Sequence, residues 1–397
     1  MSSALQDIRR ITHLAAPVLV GQLAVIAFGV IDTIMSGRAS ATDLAAVGLG
    51  GSIYVTVYVS LMGVLQALAP VAGQLYGANR SAEIGAEVRQ AAWLGVALAI
   101  PGMLLLLFPA PLLEFAKAPP ELVEKASHYL HIGAYGLPAA LGFRIYMALN
   151  NALSRPVMVT VLQIAGLALK IPLNAWFIEG GYGLAPMGGP GCALASTLIS
   201  WIWFLSGLAI LLRGTAYRSL EIFTRWEWPR WDRIQPLLRL GLPMGLTYLI
   251  EITSFTLMSI FITRMGTDTL AGHQIIANLS AVAYMMPLSL SIATSTLVAQ
   301  SIGARDMAAA RRIGWRGIRL GAGLALLTGT LLWLLREPLL HAYVSDPAVI
   351  AKALPLMLFV AFYQAFDAVQ VMSAFILRAY KIALIPTLIY AGSLWGV

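Results

Sequence analysis

Charge is scarce in this chain. Only 11% of its 397 residues are Asp, Glu, Lys or Arg, whereas a soluble domain carries about 25%. Cysteine is nearly absent: Cys192 stands alone, which excludes an internal disulfide. No H-E-x-x-H, G-x-S-x-G, P-loop or paired C-x-x-C occurs, so nothing points to an enzyme or to a resident cofactor. The first apolar run, Ala15 to Met35, is too long for a signal-peptide core, so it reads as an uncleaved first span. What fills the chain instead is hydrophobicity: 59% of residues are hydrophobic and mean hydropathy is +0.79. A soluble chain is excluded, and a polytopic all-α membrane protein is implied. The net charge of +8 does not imply nucleic acid, because the arginines lie in short loops between apolar spans.

A helix needs about 20 apolar residues to cross a bilayer. Spans are expected at 15–36, 44–76, 90–108, 124–151, 157–178, 190–212, 237–262, 270–302, 316–335 and 348–377, with part of an eleventh from Ile382. Alternate loops differ sharply in basic residues. One set, from Arg9 and Arg10 to Arg378 and Lys381, holds 18; the other holds Arg38, Lys117, Lys125, Arg264 and Arg336, which is 5. The positive-inside rule puts the first set and the N-terminus in the cytoplasm. The longest polar stretch separates an N-terminal lobe (1–213) from a C-terminal lobe (237–397), with a cytoplasmic linker at 214–236. Its Trp226, Trp228 and Trp231 suit a membrane interface.

The two lobes repeat. VAGQLYGANRSA (71–82) matches LVAQSIGARDMA (297–308) at an offset of 303 − 77 = 226, and the same offset pairs Pro17 with Pro243 and Gly95 with Gly321. Six spans separate equivalent points, so both copies share one orientation, as in transporters built from parallel repeats around a central cleft. The second copy stops partway into its fifth span, about one and a half helices short of the first. A C-terminally truncated chain is therefore expected, with two six-helix bundles of which the second is incomplete.

Of 18 acidic residues, 15 lie in loops or at span ends; Asp32, Glu251 and Asp367 do not. Thr247, Glu251, Ser254 and Met258 share one helix face, as do Tyr363, Asp367 and Gln370. Only Lys170 and Arg144 are available at depth as counter-charges, and two bases cannot neutralise three acids. Two carboxylates close together in a low-dielectric site cannot both ionise easily. A proton, Na⁺ or a cationic substrate would relieve that strain, so Glu251 and Asp367 are expected to face each other inside the second lobe. Asp32 is expected to pair with Lys170 inside the first, each being otherwise an unpaired buried charge.

The segments PVLVGQLAVIAFGVIDTIMSGR, DLAAVGLGGSIY, QLYGA, SRP, PLNAWFI and GGPGCALAS, then GLPMGLTYLIEITSF, LAGHQIIANLSAVAYMMPLSLSIA, FDAVQ and ILRAYK, follow a familiar order. The sequence resembles the multidrug and toxic compound extrusion (MATE) family, in its bacterial NorM-like branch. The resemblance implies twelve helices in two six-helix lobes. It also implies export of cationic, amphipathic drugs against a Na⁺ or H⁺ gradient, by a monomer in the bacterial cytoplasmic membrane. Carried over by position, Glu251 and Asp367 are the second-lobe cation residues, with Tyr363 and Asn278 as neighbours. Asp32, Lys170 and Asn174 form the first-lobe substrate or proton group. The family commonly has Asn where KIPLN places Lys170, and L-R-G where this chain has Leu377-Arg378-Ala379. Two other readings remain: a flippase for lipid-linked oligosaccharide, which would want a basic cavity, and an inactive truncated remnant.

Overall fold

The computed structural model describes residues 3–115, 119–181 and 183–396; Lys117, named above, lies outside the described residues. The first half comprises α1 (Ser3–Ala39), α2 (Ala41–Leu65), α3 (Leu68–Gly77), α4 (Ser81–Leu107), the short α5 (Ala110–Phe115), α6 (Pro120–Ala152), α7 (Val157–Glu179) and α8 (Gly189–Arg213). After a 3₁₀ turn at Thr215–Leu220 come α9 (Trp231–Thr263), α10 (Thr267–Gly303), α11 (Met307–Leu334), the short α12 (Arg336–Tyr343), α13 (Pro347–Ala379) and α14 (Leu384–Leu394). Among the described residues, ten segments are long and apolar enough to cross a membrane, α2 and α3 acting as one. The chain is an all-α polytopic membrane protein.

Local chemistry sets the helix ends. Ser40 caps α2 by accepting the Asp43 amide at 2.9 Å, and Asp306 caps α11 through the Ala309 amide at 2.8 Å. Asp346 caps α13 ahead of Pro347, whose missing N–H costs nothing in a first turn. Asn79, Ser154, Arg305 and Lys381 follow the ends of α3, α6, α10 and α13 with φ of 58°, 57°, 61° and 61°. This left-handed residue turns the chain out of each helix.

The helices overrun the apolar segments. The first span is expected from residue 15, but α1 starts at Ser3, and Asp7 near its tip is held by Arg312, at 3.3 Å, and by Arg316, both from α11. The linker is expected to reach residue 236, yet α9 begins at Trp231. Arg233 there pairs with Glu87 of α4 at 3.0 Å, and the Arg230 amide donates to Gln90 Oε1 at 2.8 Å. Polar residues outside the hydrocarbon stay helical when a neighbouring helix satisfies them.

These contacts follow the repeat. Position 7 is equivalent to 233 (233 − 7 = 226), and the charge is reversed: an acid in α1 and a base in α9 reach across to the opposite half. Behind them Ile11 and Ala15 of α1 pack among α10, α11 and α13, while Leu237, Leu240 and Met244 of α9 join the core of the first half. The pairing of α2 with α6 is matched by α10 with α13, and that of α1 with α7 by α9 with α14. At the N-terminal end the halves meet in a two-fold clasp. Gln74 Nε2 donates to the Ala379 carbonyl and Gln300 Nε2 to the Ala152 carbonyl, both at 2.8 Å. A Cβ on Gly77 would fall 1.9 Å from the Gln300 oxygen, and one on Gly303 1.9 Å from the Gln74 oxygen, so only glycine fits at either place. Gly317 lies close against the Thr294 side chain, where a Cβ would collide.

Candidate functional site

In the first half α1 supplies Asp32 and α7 supplies Lys170 and Asn174, one turn apart on the same face. Lys170 is fully buried, and its Nζ lies 2.8 Å from Asp32 Oδ1. The ammonium also donates to Ser196 Oγ at 2.5 Å and to the Cys192 carbonyl at 3.2 Å, and stands 5.6 Å from the centre of the Phe28 ring. Asn174 Nδ2 donates to Asp32 Oδ1 at 2.7 Å. In this group each charge has its counter-charge, and Asn174 Oδ1 is buried without a hydrogen-bond partner.

The second half differs. Asp367 on α13 is buried and accepts one hydrogen bond, from the Tyr363 hydroxyl at 3.3 Å. Glu251 on α9 is half-buried, and the charges that act on it are Asp367 and Arg378. The hydroxyls of Tyr284, Tyr363 and Tyr390 stand within electrostatic reach of it. Among the described residues no Lys, Arg or His comes within ion-pair distance of either carboxylate. One turn before Asp367, Gln364 is buried with both amide atoms unpartnered. The structure thus brings Glu251, Asp367 and Tyr363 into one acidic, hydroxyl-rich region. Asn278 is engaged elsewhere: it is exposed, and its Oδ1 accepts from Tyr343 on α12 at 2.8 Å.

Arg378 is expected among the basic loop residues. It sits instead in the last turn of α13, 5% exposed, and is a third base at depth. The stripe Tyr363, Asp367, Gln370 continues to position 378 at helical spacing, which is the signal that finds it. Together with Arg144 it lines a small cavity between the halves. Among the described residues no acid lines this cavity, so the excess of acids expected at depth does not extend to it.

The MatE family pattern matches residues 17–176 and again 243–397, two copies starting 243 − 17 = 226 residues apart. The chain belongs to the MatE family. Among similar proteins is a probable multidrug resistance protein NorM of Aromatoleum aromaticum, 42% identical over 98% of this chain and 84% of the relative. Two solved structures share the MatE fold. One is described as the MATE transporter NorM-NG, in a complex that includes a monobody, with TM-score 0.81 and 32% identity over 97% of this chain and 84% of that one. The other is the eukaryotic MATE transporter AtDTX14, with TM-score 0.90 and 16% identity over 99% and 87%. This MatE chain is therefore a membrane transporter by family, with its three intramembrane acids split between a neutralised group and an unneutralised one.

Proposed function

We propose that this chain exports amphipathic organic cations by alternating access, driven by inward movement of H⁺ or Na⁺ bound at Glu251 and Asp367. The observation that carries the reading is the contrast between the halves. Asp32 already has a buried lysine, whereas Glu251 and Asp367 have no basic group in contact. A cation arriving there meets uncompensated charge; one arriving at Asp32 must displace an ammonium. Tyr363 and the unpartnered Gln364 amide add oxygen ligands suited to a hard cation. Relatives named for multidrug resistance support drugs as the cargo. With Arg378 set aside, the 17-to-5 bias of basic residues between the loop sets supports a cytoplasmic N-terminus, with the clasped end facing the cytoplasm.

A ligand shifts a two-state transporter only through its differential affinity for the two states. Glu251→Gln keeps the shape and removes the charge, so it removes most of that difference for a cation. Cells carrying the gene and loaded with ethidium are expected to lose uphill efflux in Glu251→Gln at matched expression, while downhill leakage persists. Efflux at the wild-type rate would make Glu251 structural. One observation favours the flippase reading, the pair of arginines in the central cavity; export of ethidium by the wild type speaks against it.

A further inference from the structure

The central cavity has the wrong sign for an exporter of cations. Its charged lining is Arg144 from α6 and Arg378 from α13, and it has no acidic member. Arginine stays protonated in proteins, so both groups are cations under all ordinary conditions. Two like charges facing one low-dielectric space repel, and a buried guanidinium without a counter-ion costs several kcal/mol.

Neither guanidinium is satisfied by the protein. Arg378 is 5% exposed, and its Nη1 is buried with no hydrogen-bond partner. It is held by rings alone, with Cζ 4.5 Å from the centre of Phe375 and 5.6 Å from that of Tyr248. Arg144 makes one weak bond, from Nη1 to Met147 Sδ at 3.0 Å. Glu251 acts on Arg378 electrostatically but makes no ion pair with it. Amides surround the same space: Gln22, Gln66 and Asn151. Apolar walls complete it, with Val18, Met244 and Phe375 among them.

We propose that Arg144 and Arg378 form a binding site for the carboxylate group of an amphipathic ligand at the centre of the molecule. A planar carboxylate matches the guanidinium fork, accepts from two such groups at once and neutralises one of the two charges. The aromatic and aliphatic walls receive the rest of the ligand. The inference does not rest on export, since binding is read without a gradient.

The test uses the full chain in nanodiscs of zwitterionic lipid, with 4-fluorobenzoate as probe and fluorine NMR as readout. The wild type is expected to bind 4-fluorobenzoate, unlabelled benzoate to displace it, and 4-fluorobenzamide not to bind. Arg144→Gln and Arg378→Gln are each expected to weaken binding by about tenfold or more, the scale of one charge-assisted hydrogen bond. Arg378→Lys keeps the charge without the fork and is expected to fall between. Because Arg144 is half-buried and Arg378→Lys preserves charge, these two variants keep the test decisive where Arg378→Gln does not fold. Benzamide binding as well as benzoate, or variants within about twofold of wild type, below 0.5 kcal/mol, would overturn the site. Inorganic phosphate displacing the probe better than benzoate would overturn the carboxylate assignment.

Discussion

Lys170 has no exposed surface, and its ammonium meets Asp32, Ser196 and the Cys192 carbonyl. Removing one member of such a pair leaves the other charged and buried, which costs about 3–5 kcal/mol. Lys170→Met is therefore expected to lower the thermal midpoint of the detergent-solubilised protein strongly, and Asp32→Asn in the same chain to recover most of the loss. Equal midpoints for the single and double variants would mean that the pair contributes nothing specific. This pair was readable in the sequence, because Asp32 and Lys170 are isolated charges in apolar runs of the same half, with few counter-charges available to either. Arg378 was not, because positive residues near span ends read as loop residues when only composition is weighed. Nor was Asn278's partner readable, since Tyr343 lies on a short helix that no apolar run announces.

At the scale of elements, the crossing helices were legible because hydrocarbon demands long apolar runs, and the ten expected segments correspond one to one with the ten observed. Their true ends were not, since α1 and α9 continue into polar sequence that only a distant helix stabilises. The caps give local tests: Asp306→Ala is expected to cost about 1 kcal/mol by freeing the Ala309 amide, measured by thermal unfolding. The linker is strapped to α4, with Arg89 donating to Glu227 at 2.7 Å, Trp93 Nε1 to the Glu227 carbonyl at 2.9 Å, and the Trp93 and Trp228 rings stacked. The hydrogen bond from Arg89 holds the Glu227 carboxyl below its ordinary range. A depressed carboxyl stabilises the bound strap above its unfolded pKa, and that contribution is lost as pH falls through the folded value. Tryptic cleavage at Arg225 and Arg230 is thus expected to speed up in Arg89→Ala at neutral pH. Partial digestion with an acid-active protease should likewise open the linker of the wild type as the pH falls below the ordinary carboxylate range. Unchanged cleavage in Arg89→Ala would show that the tryptophans alone hold it.

For the whole molecule the decisive device is the clasp. Gln74 and Gln300 each bond a carbonyl of the opposite half, at about 1 kcal/mol net apiece. Losing both would shift a closed-to-open equilibrium by roughly 30-fold. Spin labels at Ala82 and Ala308, exposed and repeat-equivalent, are expected to show a new long-distance component in the Gln74→Ala, Gln300→Ala double variant. An unchanged distance distribution would relieve the glutamines of that role. Gly77→Ala, whose Cβ would strike the Gln300 backbone, is expected to give the same component by forcing the halves apart.

The exchange of α1 and α9 between halves also sets a timetable for biogenesis. Asp7 waits for Arg312, which follows 305 residues later in the chain. At a synthesis rate of about 5–20 residues per second, that is roughly 15–60 s during which α1 sits in the bilayer without its neighbours from the second half. The apolar faces of Ile11 and Ala15 must be occupied meanwhile by lipid or by a membrane chaperone. The N-terminal end of the first helix to leave the ribosome is thus among the last parts to be seated, and a stall in the second half would leave it available to the quality-control machinery of the cell.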